Sequence, residues 1–552
     1  MQERIMILGA GVMQGPALKI AKDLGLFTVA VDADPNAPCV SLADRFEKVD
    51  LKDKEGIEAL GRSLLADKAG GGLAGILTAG TDFSASVAWA AEKLGLPGIP
   101  YEAALNASDK ERMRRCFKAE GIPSPEFTIL TSPPPAAAAG DFLPFPLPAV
   151  VKPVDNMGGR GCRRIDTREE LGEAVTEALK FSRSGRAIVE AFMEGPEFSV
   201  DAIVYHGEIT ICGLADRHIY FPPYFIEMGH TMPTNFPPEQ RRQLLDTFSA
   251  AARSLGIAGK DCCGAAKGDI KLTPQGPMIG EVAARLSGGY MSGWTYPYAS
   301  GVEPTRAAIL IAAGRKPEGL DPSRCWTCAE RAFISIPGKV RSLQGIDKAK
   351  AVPGVRDLFL RSEPGKTVTF PENNVSKCGN IIAAAPGRAE AAAAAESAAR
   401  SILIRLEAPN PETAAFLAAA HTAEAPARGV PVSGKAAVDQ PFPPDAFALS
   451  PELRAALAHL PDAGTGQGSG AAQPMAILAF PEFTASGLRD YVGRSVEESL
   501  EAARLITGLP LPVQEASTAG EGTILLGRRF WTALVRGGYQ GAAYLVDEIN
   551  RD

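Results

Sequence analysis

Residues 147–161, LPAVVKPVDNMGGRG, constrain this chain more than any other stretch. The apolar run ending in Val150-Val151 reads as a buried strand that delivers Lys152 at its end. A turn carrying Gly158, Gly159 and Gly161 follows. Glycine lets backbone N–H groups turn inward and approach an anion, and a lysine beside them supplies a point charge for phosphate. No Gly-Lys-Ser/Thr sequence closes the loop, so it is not the Walker arrangement. Alone, the stretch fits an ordinary glycine-rich hairpin at least as well as a phosphate loop. The residues at matched distances downstream decide between them.

Upstream, RIMILG reads as a strand, PALKIAKDLG as a helix ended by Gly25, and TVAVDAD as a second strand, a βαβ opening. Its glycine fingerprint is imperfect, because Gln14 stands where the third glycine belongs and Gly15 comes one place late. Asp32 closes the second strand, where a dinucleotide site would place its ribose-binding acid. A nicotinamide dehydrogenase is therefore an alternative from this stretch, disfavoured because nothing after residue 100 resembles a nicotinamide site. Residues 75–98 read as a strand, a loop at 78–82 and a helix, and open α/β sheets bind ligands at such strand ends. Ser108 is expected to cap the next helix with Glu111 at the box position. Lys110 lies in its first turn, and Gly121 and Pro123 end it. A Pro/Ala-rich connector, 131–148, leads to the central strand.

After the glycine loop the pattern predicts an amphipathic helix. A strand–turn–strand follows with Glu190, Phe192 and Glu197 around Gly195-Pro196, then a loop holding Glu227 and His230. Next comes a hairpin turning at Pro274-Gln275-Gly276, which lets Asp269 and Glu281 face each other. Residues 330–406 read as a small α+β unit. Residues 407–450 read as a Pro- and Ala-rich linker, which implies that 1–406 fold alone, and 461–474 as a disordered loop.

The 552 residues allow three or four domains. A net charge of -7 argues against general affinity for nucleic acid or an anionic membrane surface. No apolar run reaches the length of a membrane span. The N-terminus reads as strand and turn, not a signal peptide, so the nine cysteines are expected as reduced thiols in a cytoplasmic protein. The lone Cys325-x-x-Cys328 has no partner pair or nearby histidine to make a metal site.

The ordered set Lys110, Lys152, Gly158-Gly159-x-Gly161, Glu190, Glu197, Asp269, Glu281 and Arg285 with Gly288-Gly289 behind it resembles the ATP-grasp superfamily. Within it, the set is similar to the carboxylate–amine ligases and the bacterial L-amino-acid (dipeptide) ligases. The resemblance covers about residues 4–406. It implies an α/β and α+β chain. A Rossmann-like domain over 1–100 precedes an ATP-grasp domain over 101–320, a small α+β domain over 321–406 completes the core, and 407–552 form an unrecognised extension. It also implies that Lys110, Lys152 and the glycine loop hold ATP phosphates, that Glu190 and neighbouring backbone read adenine, that Glu197 reads ribose, and that Phe192 belongs to the ATP-binding set. Asp269 and Glu281 would hold Mg²⁺, and Arg285 would stabilise the transition state. Glu227 and His230 would face an amino-acid substrate. The implied reaction joins a small-molecule acid to an amine through an acyl phosphate, with ADP and phosphate as products. A bicarbonate-using or purine-pathway relative and a nucleotide-binding module that has lost catalysis are the alternatives; a homodimer is left open. One departure is visible: Ala283 stands where many members carry a metal-binding Asn.

Overall fold

The computed structural model describes residues 2–135, 142–418, 491–507 and 528–549. The middle of the 131–148 connector, most of the expected linker and the whole of 461–474 lie outside the described residues. The chain divides into two units. The first comprises Met1–His218, Gly229–Glu330 and Ile382–Ala392, and the second comprises Ile219–Met228, Arg331–Ile381 and Ala393–Asp552.

The first unit opens with a four-stranded parallel sheet in the order Arg45–Lys48, Phe27–Asp32, Arg4–Leu8, Leu73–Thr78. A parallel strand covered on both faces should be apolar throughout rather than alternating. Ile5 and Ile7 accordingly pack with Ala17 and Leu18 of the helix Gly15–Asp23. Met6 and Leu8 pack with Ile57 and Leu64 of the helix Lys54–Ala66.

An antiparallel sheet follows in the order Phe127–Leu130, Ala187–Ala191, Ala149–Pro153, Arg163–Ile165. Ala149 and Val151 bury against Ala174, Val175 and Ala178 of the helix Leu171–Phe181. Alternation along the strand then puts Lys152 on the opposite face, and the register sets Glu190 beside Val150 on that same face. A third set of strands runs in the order Gly276–Ala283, Cys263–Thr273, Glu197–Tyr205, Glu208–Tyr220. Its even-numbered residues Val200, Ala266, Ile270 and Val282 pack on Leu244 and Phe248 of the helix Pro238–Ser254. The odd-numbered polar residues 197, 199, 201, 267, 269, 271 and 281 share the other face.

One cap differs from expectation. Ser108 ends the helix Tyr101–Ser108, its hydroxyl donating to the carbonyl of Ala104 at 2.7 Å. Asp109 caps the next helix, Lys110–Ala119, by accepting from the Arg112 N–H at 3.0 Å. The chain needs an extended residue between two abutting helices, and Asp109 supplies both that conformation and the acceptor.

The second unit contains the sheet Thr367–Val368, Gly338–Gln344, Leu403–Leu406 and the helices Val496–Thr507 and Arg528–Ile549. Ile336, Val340, Leu403, Leu406 and Leu417 form one core with Leu500, Phe530, Trp531, Leu534 and Tyr544. Inside it Gln540 donates to the Ser335 hydroxyl at 2.8 Å and the Ile404 carbonyl at 2.9 Å. The expectation that residues 1–406 fold alone meets this core, in which segments beyond residue 490 take part. Its apolar residues come from elements far apart in sequence, so no single stretch announces the association.

Candidate active site

The loop after Ala149–Pro153 is held at both ends. Asn156 donates to the Phe181 carbonyl at 2.8 Å, and its own side-chain oxygen accepts from the Met157 N–H at 2.9 Å and from Arg160 at 2.8 Å. Gly158, Gly159 and Gly161 have φ of 72°, 75° and 63°, the left-handed region that costs other residues. A Cβ at Gly161 would also stand 2.8 Å from the Phe181 ring. The glycines are required by the backbone path itself.

Lys110 begins its helix buried, and its ammonium donates to the Asn156 carbonyl at 2.7 Å while lying 3.7 Å from Glu281. Lys152 lies 2.6 Å from Glu190. The other Glu190 oxygen accepts from the Arg114 Nε at 2.8 Å, and the second arm of Arg114 donates to the Gly280 carbonyl at 2.6 Å. Burial favours the protonated form of the Glu190 carboxyl, but Arg114 and Lys152 outweigh it and hold the group below its ordinary range. Arg114 was not picked out from the sequence. The signal was there: with Lys110, Met113 and Phe117 it occupies the buried stripe of its helix, a position where arginine needs a partner.

The register of the hairpin Cys263–Thr273 and Gly276–Ala283 sets Asp269 directly opposite Glu281 and Lys267 directly opposite Ala283. Asp269 accepts from the Ser199 hydroxyl at 3.1 Å, lies 3.0 Å from Arg217 and is in contact with the Lys267 ammonium. Glu197 sits between Arg217, which contacts it, and Lys271 at 3.6 Å. Burial would raise the Glu281 carboxyl, but Lys110, Lys267, Lys152 and Arg285 together bring it down to about 2. Phe192 carries cations on its ring, with Arg164 at 4.5 Å and Lys271 at 4.9 Å from the centroid. Arg217, Lys267 and Lys271 are further residues that sequence reading missed. The strand alternation Lys267-x-Asp269-x-Lys271 placed two of them on the face of the expected metal ligand.

Arg285 follows the hairpin, buried, and donates to the Leu286 carbonyl at 2.9 Å. Leu286 pairs with Ala79 of the first sheet's loop, and the Gly80 N–H donates to the Leu286 carbonyl at 3.3 Å. That loop also carries Asp82, whose carboxyl is raised by burial despite the opposing charges of Lys110, Arg183 and Arg285. The structure thus brings Lys110, Lys152, Glu190 and Glu281 together and joins Glu197 to Asp269 through Arg217. His230 lies on the strand Ile226–Met232 rather than in a loop, buried, with its Nδ1 3.0 Å from Glu330. Glu227 belongs to the second unit, where its N–H donates to the Asn374 side chain at 2.7 Å and its carbonyl accepts from Lys377 at 2.7 Å.

The acid at the end of the second strand has a structural use. Asp32 accepts from the Ala10 N–H at 2.8 Å and the Asp34 N–H at 3.0 Å, and the Gln14 side chain accepts from the Gly11 N–H at 2.9 Å. Groups that a dinucleotide would need are engaged in holding the turn.

Residues 145–292 match the family model of the ATP-grasp domain, and residues 332–407 that of the L-amino acid ligase C-terminal domain 2. The chain is 26% identical over 396 residues to the uncharacterized protein y4rH of Sinorhizobium fredii, covering 70% of this chain and 79% of that one. It is 26% identical to human carnosine synthase 1 over 57% of this chain, spanning only 40% of that protein's length. Its fold is similar to that of an L-amino acid ligase from Bacillus licheniformis, at a TM-score of 0.63 and 20% identity, over 74% of this chain and 99% of the other. With the hairpin carboxylates, the lysines and the glycine loop in one unit, the chain carries an ATP-grasp domain over residues 145–292 and is similar to ATP-dependent carboxylate–amine ligases of that superfamily.

Proposed function

We propose that this protein joins a carboxylic acid to an amine at the expense of ATP, through an acyl phosphate, and that its substrates are amino acids or short peptides. The observation that carries the reading is the charge arrangement on the polar face. Lys110, Lys152, Arg217, Lys267 and Lys271 are gathered there in ion pairs with Glu190, Glu197, Asp269 and Glu281. Cations concentrated beside a glycine turn suit a polyphosphate. Phosphoryl transfer asks the protein chiefly for positioning and charge neutralisation. Lys110 and Lys152 would bind the phosphates, and the glycine loop would cover them and exclude water from the acyl phosphate. Glu190 reaches the nucleotide less directly, since its carboxylate is committed to Arg114 and Lys152; the backbone beyond it and Phe192 would meet the base. Glu197 would accept from ribose hydroxyls. Arg285 would hold charge developing on the transferred group.

Asp269 and Glu281 fit a hard divalent cation, because they offer opposed carboxylate oxygens on neighbouring strands. Among the described residues no cluster of three or more carboxylate, histidine or cysteine side chains could hold a metal, so water would complete the coordination. Mg²⁺, when bound there, would neutralise phosphate oxygens. His230, with Glu330 fixing its ring, would orient a substrate carboxylate or accept a proton from the amine. The similarity to carnosine synthase and to an L-amino acid ligase supports amino acids as substrates.

The test measures phosphate release and the mass of any amide formed from mixtures of amino acids with ATP and Mg²⁺. Release of ADP and phosphate is expected only when both an acid and an acceptor are present. AMP with pyrophosphate would exclude the acyl phosphate, and release that depends on bicarbonate would replace this reading with a carboxylating one.

A further inference from the structure

We propose that the active site works with a single divalent cation, and that the ammonium of Lys267 occupies the place a second would take. The inference rests on the ligase reading above and narrows its metal site. Four residues define the position. Lys267 and Asp269 lie on one strand and point to the same face; Ala283 and Glu281 lie opposite them, in that order. Alanine offers no donor and leaves space beside its cross-strand neighbour, and that neighbour is a lysine. The Lys267 ammonium reaches the Asp269 carboxylate.

The two carboxylates are not equally open. One Asp269 oxygen is shared by Lys267 and Arg217, and the other accepts from Ser199. Glu281 is 3.7 Å from the Lys110 ammonium, and its side chain is 31% exposed. A divalent ion would be held by Glu281, the more open donor, with Asp269 as its second carboxylate. A second ion on the far side of Asp269 meets two cations already in contact with the carboxylate and a methyl group where a ligand is needed. Like charge at contact distance in a partly dehydrated site is strongly repulsive. The lysine supplies a fixed positive charge there without drawing on free metal, and it approaches the phosphates as a compact donor.

Manganese substitutes for magnesium and reports directly on the number of bound ions. The full chain is titrated with Mn²⁺ in the presence of a non-hydrolysable ATP analogue, and bound ions are counted by electron paramagnetic resonance. The expected result is one Mn²⁺ per chain, with no spin coupling between ions. The double substitution Lys267→Met, Ala283→Asn removes the cation and restores an oxygen donor; it is expected to raise the count to two, with a spectrum broadened by the neighbouring ion. Retained analogue binding shows that this variant is folded. Two coupled ions in the unaltered protein overturn the inference and leave the ligase reading standing. A count of one in an analogue-binding double variant also overturns it, because Lys267 is then not what excludes the second ion. Absence of any nucleotide-dependent Mn²⁺ in the unaltered protein overturns the ligase reading itself, and this inference with it.

Discussion

At the scale of the residue, the most exacting contact is the buried set Arg114–Glu190–Lys152. Arg114 is fully buried and Glu190 nearly so, and removing one member of such a pair leaves a buried charge without its counter-ion. Glu190→Gln is expected to cost about 3 kcal/mol at neutral pH, from the range known for broken buried pairs. The pH dependence follows from the direction of the shift. The folded carboxyl titrates below its unfolded counterpart near ~4.3. Its stabilisation is therefore complete above that value and is lost as pH falls through the folded one. The gap between the native protein and the Gln variant in urea unfolding should be widest at neutral pH and narrow below about pH 4. A gap independent of pH would show that Glu190 contributes by shape and hydrogen bonding rather than by charge. The sequence displayed Glu190 but not its partner, because Arg114 reads as one more basic residue in KERMRR until the buried stripe of the helix is drawn.

Elements were more legible than contacts. The strand before Lys152, the glycine turn, the Asp269/Glu281 hairpin and the opening βαβ are local patterns, and each is found in the structure. What local pattern does not carry is the meeting of distant loops. Gly80 shows this. Its φ is +62°, and a Cβ there would stand 2.9 Å from the Met13 Cβ and 3.1 Å from the Gly288 Cα. The loop after the first sheet's last strand thus touches the Gly288-Gly289 segment behind Arg285 through a position that tolerates no side chain. Gly80→Ala combines left-handed strain of roughly 1–2 kcal/mol with a contact that must open. It is expected to lower the stability of the first unit by about 2 kcal/mol or more in urea unfolding, and to slow turnover more than it weakens ATP binding. The second effect would follow because the displaced segment adjoins Arg285 rather than the lysines. A variant as stable and active as the native protein would show that the loop contact has slack. The same reasoning explains the missed Lys267: strand alternation put it on the right face, but only the register revealed Ala283 opposite.

At the scale of the whole molecule, the sequence suggested a tail joined by a linker, and the structure gives part of that tail a place in a core. Phe530, Trp531, Leu534, Tyr544 and Leu545 are buried among residues from 332–417. Burying one large apolar side chain is worth roughly 1.5–3 kcal/mol, so these five together approach ~10 kcal/mol. That equals much of the ~5–15 kcal/mol by which a domain is stable at all. Truncation after Ala418 should therefore leave the second unit without tertiary order, not merely trimmed. The expected signs are dye binding by exposed apolar surface and loss of near-ultraviolet circular dichroism, with far-ultraviolet signal largely kept. Trp531→Ala in the full chain gives a milder version of the same loss, expected at about 3–5 kcal/mol for a buried aromatic. A truncated protein with native-like near-ultraviolet signal from its remaining aromatic residues and no dye binding would show that 332–418 carry a sufficient core. Sequence reading could not have anticipated the dependence. The helix Arg528–Ile549 is buried along most of its length, but the residues that cover it come from segments about a hundred residues or more upstream, and no local pattern pairs them.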